Sequence, residues 1–253
     1  MKLHFRTIGE GEPLIIMHGV FGSSDNWQTV GKEFAEQYKV YLVDLRNHGK
    51  SPHSDEFNYE VMAEDVFHMI TNEGLQEANI LGHSMGGKVA MTLASNRPTL
   101  VKKLIVVDIA PKQYPPHHAQ IFEGFRSVNL TSIKSRKEAD EQMATRISSL
   151  GVRQFILKNL DRDSEGNFRW KLNLDVIERA ASEIGNELID PKPFEKETLF
   201  IAGGNSDYIL DSDHDKIVSI FPNARVEKIA GAGHWVHAEK PTDLRDLVLD
   251  FLA

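Results

Sequence analysis

Apolar residues fall along this chain in two rhythms. Short apolar-rich runs recur at Leu14-Ile15-Ile16-Met17, Lys39 to Leu45, Asn79-Ile80-Leu81, Leu104 to Val107 and Thr198 to Ala202. A run that is apolar at successive positions predicts a strand covered on both faces, as in a parallel sheet. Arg225 to Ile229 reads as the last strand, and the alternating Leu3 to Thr7 as a short first one. Between the runs the period changes. Met62, Val66, Met69 and Ile70 follow helical spacing, as do Val89, Ala90, Leu93 and Ala94 within Gly87 to Asn96, and Leu244, Leu247, Val248 and Phe251 at the end. Thr29 to Tyr38 and Asp211 to Phe221 also read as helices. Strands alternating with helices predict an α/β domain: a mostly parallel sheet with helices on both faces.

From Lys112 to about Pro193 the strand rhythm stops. Three helical patterns replace it: Ile121/Phe122/Phe125, Ala139/Met143/Ile147/Leu150 and Val176/Ile177/Ala180/Ala181/Ile184. The expected organisation is a core of residues 1–111 and 194–253, with 112–193 inserted as a helical cap. Trp170 and the phenylalanines of this segment read mostly as cap core. His117-His118 opens it, and adjacent histidines point in different directions, which disfavours a metal pair. Asp161-x-Asp163-x-Glu165-Gly166 resembles the start of a calcium loop, but its twelfth position is Leu172, where a bidentate glutamate is needed.

The 253 residues accommodate one large domain, and the formal charge of −8 with no basic stripe argues against a nucleic-acid partner. With no cysteine there is neither disulfide framework nor thiol catalysis nor cysteine-bound metal. No signal-peptide pattern opens the chain, and no apolar run approaches the ~18 residues of a membrane span. A cytoplasmic protein without membrane insertion is expected. Its oligomeric state is open, with a monomer among the possibilities.

The chemistry concentrates at Gly82-His83-Ser84-Met85-Gly86-Gly87-Lys88. Gly82-x-Ser84-x-Gly86, entered by a strand and left by a helix, has the form of a nucleophile elbow: a strained turn that lifts a serine clear of the sheet. Two rival motifs fail on named residues. A P-loop needs Ser or Thr where Val89 stands, and a dinucleotide loop needs glycine where Ser84 stands. The N–H of Met85 would face the same space as the hydroxyl, and Val20, in the His18-Gly19-Val20-Phe21-Gly22 loop, would supply a second oxyanion donor. His18 itself reads as a buried histidine bonding that loop. Asp44 precedes the serine, the wrong side for an acid of this motif, and reads as a loop brace with Arg46. Glu64, Asp65 and His68 read as a solvated helix face, His214 as surface and His237 as structural. Asp108 leaves the strand after the elbow, and His234 stands on the glycine-flanked loop after the last strand. Ser84, Asp108 and His234 thus follow the order nucleophile, acid, base.

On these residues, together with Asp44-Leu45-Arg46-Asn47-His48-Gly49, Val107-Asp108-Ile109-Ala110-Pro111, Gly203-Gly204-Asn205-Ser206 and Gly231-Ala232-Gly233-His234-Trp235-Val236-His237, the chain resembles the α/β-hydrolase superfamily along nearly its full length outside the cap. Within it, the chain is similar to bacterial YbfF-type esterases and their mitochondrial abhydrolase relatives. The resemblance implies a serine esterase or thioesterase acting on acyl esters, acyl-CoA among them, without cofactor or metal. Many hydrolases of this fold carry the acid after the strand ending at Gly203. Here that position is Ser206, with Asp207 one residue beyond. The resemblance places the acid at Asp108, with Ser206 as a supporting hydroxyl expected to bridge it to His234. Rival functions on the same frame are C–C bond hydrolase, lactonase, perhydrolase and small-molecule receptor.

Overall fold

The computed structural model describes residues 1–116 and 118–253. Taken in chain order, β1 (His4–Ile8) and β2 (Glu12–Met17) lead to α1 (Gln28–Phe34), β3 (Tyr38–Asp44), α2 (Tyr59–Asn72), β4 (Ala78–His83), α3 (Met85–Asn96) and β5 (Val101–Val107). After an insertion come β8 (Thr198–Gly203), α9 (His214–Ile220), β9 (Ala224–Ile229), α10 (Val236–Glu239) and α11 (Pro241–Leu252). The strands form one seven-stranded sheet in the order β1-β3-β2-β4-β5-β8-β9. Only β1 is antiparallel to its neighbour; the other pairings are parallel. The alternating rhythm predicts such a mostly parallel α/β sheet, and the resemblance implies the α/β-hydrolase form of it, which this strand order has.

The continuous apolar runs explain why the central strands are buried on both sides, while β1 and β9 at the edges are not. Along β2, Ile15 and Met17 join one core while Leu14 and Ile16 join the other; β5 divides in the same way into Leu104/Val106 and Ile105/Val107. The first core is filled from α2, α3 and α9, and the second from α1 and α11. Helix α1 is shorter than its apolar spacing suggests. Its last turn closes at Ala35, and Tyr38 is already paired with Glu12 in the parallel ladder. Sheet pairing takes over where the helix would otherwise have continued.

The insertion carries α4 (Ala119–Ser127), α5 (Arg136–Met143), α6 (Leu150–Leu157), the hairpin β6 (Leu160–Arg162) and β7 (Phe168–Trp170), α7 (Leu174–Arg179) and α8 (Ala181–Ile184). The first helical pattern is α4, but the second is broken: α5 ends at Met143, Ile147 lies in the link, and Leu150 opens α6; the third is divided between α7 and α8. Ser135 and Ser149 side chains cap α5 and α6 and so set separate starts for the two helices. The hairpin replaces the purely helical segment expected there. Its turn is the acidic stretch that resembles a calcium loop: Asp163 Oδ1 accepts the N–H groups of Glu165 and Asn167, both at 2.9 Å, and Gly166 supplies a positive φ of 89°. Those donors to Asp163 hold its carboxyl below the usual range. Its acidic residues are therefore turn chemistry. His117 lies outside the described residues.

Candidate active site

Ser84 is the residue between β4 and α3, with φ 52° and ψ −121°. The flanking glycines are required by close backbone approach. A Cβ on Gly82 would lie 2.2 Å from the Gly86 carbonyl oxygen, and one on Gly86 2.5 Å from that of His18. The N–H of Ser84 is tied to the Val107 carbonyl at 2.9 Å, which fixes the turn against β5. Met85 opens α3, so no preceding helical carbonyl takes its N–H.

Asp108 is the residue after β5. It is fully buried with a positive φ of 51°. Both carboxylate oxygens are engaged: Oδ1 accepts the Gly203 N–H at 2.9 Å, and Oδ2 accepts the His234 Nδ1–H at 2.8 Å and the Ser206 hydroxyl at 2.5 Å. The Nε2 of His234 lies 3.1 Å from Ser84 Oγ. With the proton on Nδ1 held by the carboxylate, Nε2 presents its lone pair to the serine hydroxyl. Ser206 therefore does not bridge acid and imidazole as expected. The contact between Asp108 and His234 is direct, and the hydroxyl binds the same oxygen from beside it. Asp207, the rival acid, is exposed.

The imidazole of His234 is held on its face as well as its edge. Tyr208 stacks on it with ring centroids 3.9 Å apart and 19° between planes. His83 lies on another side, its Nε2 2.8 Å from the His234 backbone carbonyl. A carbonyl only accepts, so His83 carries its proton on Nε2. Burial, with His234 and His237 nearby, holds its pKa well below the ordinary imidazole value. His237 stacks on Trp27 at 4.5 Å and is lowered to about 3, chiefly by burial, in keeping with the structural role expected of it.

The loop carrying Val20 turns between Gly19 and Gly22, closed by the Gly22 N–H on the Gly19 carbonyl at 3.0 Å, with Phe21 at φ 61°. Two buried histidines brace it from below. His18 donates from Nδ1 to the Gly19 carbonyl at 2.8 Å and accepts the Leu45 N–H on Nε2 at 3.1 Å; His48 donates to the Arg46 carbonyl at 2.9 Å and accepts the Phe21 N–H at 3.3 Å. Each ring has one nitrogen accepting from backbone, so each is neutral. Burial pushes the His18 pKa down and that of His48 down to about 3. His18 thus has the loop-bonding role read from the sequence. From the insertion, buried Asn159 donates to the Phe21 carbonyl at 2.7 Å. Nothing in the sequence marks Asn159, Tyr208 or His48 for these roles, because each depends on a contact between distant segments.

Two sequence readings are corrected nearby. Asp44 is a loop brace, but its partners are the N–H groups of Ser24 at 2.7 Å and Lys50 at 2.9 Å. Arg46 pairs instead with Asp65 at 2.6 Å. Asp65, expected on a solvated helix face, is buried because it turns toward this guanidinium and the N-terminal amine. On that face His68 is exposed as expected and Glu64 is half-buried, while His214 on α9 is exposed as read from the sequence.

A cavity of about 240 Å³ opens beside Ser84 and His234, walled by Trp27, Ile121, Phe155 and Trp235. A second, of about 20 Å³, meets Ser84 from another side and is bounded by Val20 and Met85. The site can therefore present a hydroxyl and a base with an ionic partner to one bound group, with Val20 and Met85 in the adjoining wall. Among the described residues no cluster of His, Asp and Glu could hold a metal, and no helix is long and apolar enough to cross a membrane.

Comparison with known proteins agrees with this frame. The family model described as alpha/beta hydrolase fold matches residues 12–241. The sn-1-specific diacylglycerol lipase ABHD11 of Mus musculus is 39% identical over 95% of this chain and 80% of its own length. Esterase YbfF of Escherichia coli is 37% identical over 95% of each chain. The solved structure of a marine microorganism esterase superposes with a TM-score of 0.96 at 43% identity, covering 99% of both chains.

Proposed function

The chain belongs to the α/β-hydrolase family, and from that premise we propose that it is a serine hydrolase of carboxylic esters or acyl thioesters. The observation that carries this reading is the chain of contacts from Ser84 Oγ through His234 to Asp108, at 3.1 and 2.8 Å, at the mouth of an apolar cavity. The relatives named esterase and lipase support an ester bond as the target.

In this reading the reaction has two steps. Ser84 Oγ attacks the acyl carbon while His234 Nε2 takes its proton, and Asp108 stabilises the resulting imidazolium. The N–H groups of Val20 and Met85 hold the oxyanion. His234 returns the proton to the departing oxygen or sulfur. Water then attacks the acyl-enzyme by the same proton path and frees Ser84. The neutral states of His18, His48 and His83 suit this role, since no second imidazolium competes with the one forming at His234.

The test is covalent. A serine-directed fluorophosphonate should add its mass at Ser84 of the wild type and leave Ser84→Ala unlabelled, with that variant's turnover down by on the order of 10⁴-fold or more. Rapid turnover after an acyl-enzyme burst on a simple ester separates an enzyme from a receptor that hydrolyses slowly. Labelling elsewhere, with full activity in Ser84→Ala, defeats the reading.

A further inference from the structure

We propose that the two cavities divide the substrate unequally: the small one takes the acyl group and the large one the leaving group, so the favoured substrates are esters of very short acyl chains with bulky apolar alcohols or thiols. This rests on Ser84 as nucleophile and deepens that reading.

The assignment follows from where the proton must go. In the tetrahedral intermediate the acyl carbon is bonded to Ser84 Oγ, its oxyanion faces the N–H groups of Val20 and Met85, and two substituents remain. The bond to the leaving group breaks only as His234 Nε2 delivers a proton to the leaving atom, so that atom must lie on the His234 side. His234 is in the wall of the large cavity and not in that of the small one. The acyl substituent is left with the small cavity, which carries both oxyanion residues in its wall.

Volume then sets the chain length. A cavity needs roughly 10–15 Å³ of such space to hold one water. The small cavity, at about 20 Å³, holds little more than a methyl or ethyl group, whereas about 240 Å³ is open on the other side. The walls of the small cavity are pinned by hydrogen bonds. Tyr59 donates its hydroxyl to the Ile184 carbonyl. Tyr114 receives the Ala110 N–H at 2.8 Å, donates to the Tyr208 carbonyl, and bonds the Gly185 carbonyl through its own N–H at 2.7 Å. Behind them the fully buried Lys88 donates to the carbonyls of Lys112 and Asn186, joining the two ends of the insertion to α3. A longer acyl chain can enter only by breaking these bonds and leaving buried polar groups unpaired.

The experiment measures kcat/KM of the full chain on two ester series. The first holds a 4-nitrophenyl leaving group and lengthens the acyl chain from acetyl to octanoyl; the second holds acetyl and enlarges the alcohol from ethyl to octyl. Expected is a maximum at acetyl or propionyl with at least a tenfold fall by hexanoyl, and a rise with alcohol size. Ile184→Ala, which removes wall from the small cavity while keeping the carbonyl that Tyr59 binds, should move the acyl optimum to longer chains. A wild-type profile that climbs from acetyl to octanoyl overturns the assignment while Ser84 still labels. An optimum unmoved in a folded Ile184→Ala also counts against it. If Ile184→Ala does not fold, the wild-type series decides alone. No hydrolysis of any ester together with an unlabelled Ser84 overturns both this inference and the function it rests on.

Discussion

The edge of the sheet and the segment that covers it are made of opposite materials. At the edge, polar side chains are buried and paired: His18, Asp44, His48, His83, Ser84 and Asp108 are all under a tenth exposed. Four of the five non-glycine residues with positive φ among the described residues, Phe21, Asn47, Ser84 and Asp108, lie there. Such backbone costs about 1–3 kcal/mol at each position, and persists only where surrounding contacts over-determine it. The covering segment buries Phe122, Phe125, Met143, Ile147, Ile156 and Ile177, and among its described residues the one non-glycine with positive φ, Asp190, is near its end. A reaction needs atoms held within a fraction of an ångström. Selection among substrates needs only volume and dryness, which apolar helices supply without strain.

If that division is right, the largest effects come from the edge. Asp108→Asn keeps the volume but presents an amide to His234 Nδ1, which favours the wrong tautomer and leaves the imidazolium unstabilised. Turnover should drop by up to ~10⁴, with the melting curve checked for folding. A healthy Asp108→Asn would move the acid elsewhere and remove the reason for burying this carboxylate.

Next in size is a stability effect confined to the same edge. Burial lowers the pKa of His18 and His83, and that of His48 and His237 to about 3, so the folded chain leaves them neutral. The unfolded chain binds protons on them below their ordinary value of about 6.5. Because the unfolded state then holds more protons, stability is fully present above that pH and falls as the pH drops toward the folded values. Between pH 6.5 and 5, where ordinary carboxylates bind few protons, His48 and His237 each remove up to about 1.4 kcal/mol per pH unit lowered, and His18 and His83 act in the same direction. Denaturant titrations should therefore show a steep loss and net proton uptake on unfolding at pH 5. Stability level from pH 7 to 5 would mean these rings are not held neutral.

The same division decides what could be read from sequence. At the edge each requirement leaves a mark on residue type: a Cβ at Gly82 or Gly86 would strike backbone, so the elbow declares itself. The order Ser84, Asp108, His234 follows from three strand exits: the first two are visible as the ends of apolar runs, and the third is marked by the glycine-flanked loop after the mostly exposed β9. In the cover, periodicity shows that helices are present but not where the second and third patterns break into separate helices, and the hairpin β6–β7 is not visible, since three-residue strands carry too little pattern. Asn159 and Tyr208 act across long sequence separations, and only the folded chain brings Asn159 to the Phe21 carbonyl. Asp65 misled for the same reason: its helical position looks solvated until Arg46 arrives from another loop.

A smaller effect sharpens the picture of the acid. Ser206 donates to the same Asp108 oxygen that receives His234 Nδ1–H, and the N–H of Gly203 holds the other. Removing one of these donors leaves the carboxylate charged and still bonded to the imidazole. Ser206→Ala should raise the barrier by about 1–2 kcal/mol, roughly a 5- to 30-fold loss in kcat, with KM little changed because the hydroxyl touches no substrate. A loss as large as that of Asp108→Asn would mean that Ser206 carries the proton path itself.

The smallest expected effect carries the sharpest contrast, because Asp207 is the carboxylate one residue beyond the place, here Ser206, where many hydrolases of this fold carry the acid. It follows Ser206 directly, on the loop leaving β8. One residue in a tight turn swings a side chain away from its neighbour, and here the swing puts Ser206 against Asp108 and Asp207 in solvent. An exposed carboxylate at this distance acts on His234 only through water and salt, where its field is screened within about a Debye length. Asp207→Asn should therefore match the wild type within about twofold in kcat/KM, and any residual difference should vanish as salt is raised. Matched assays of Asp207→Asn and Asp108→Asn at low and high ionic strength make the measurement. If Asp207→Asn were crippled at every salt concentration, the carboxylate acting on the imidazole would be the exposed one, and the fully buried, twice-anchored Asp108 would be no more than a loop brace like Asp44.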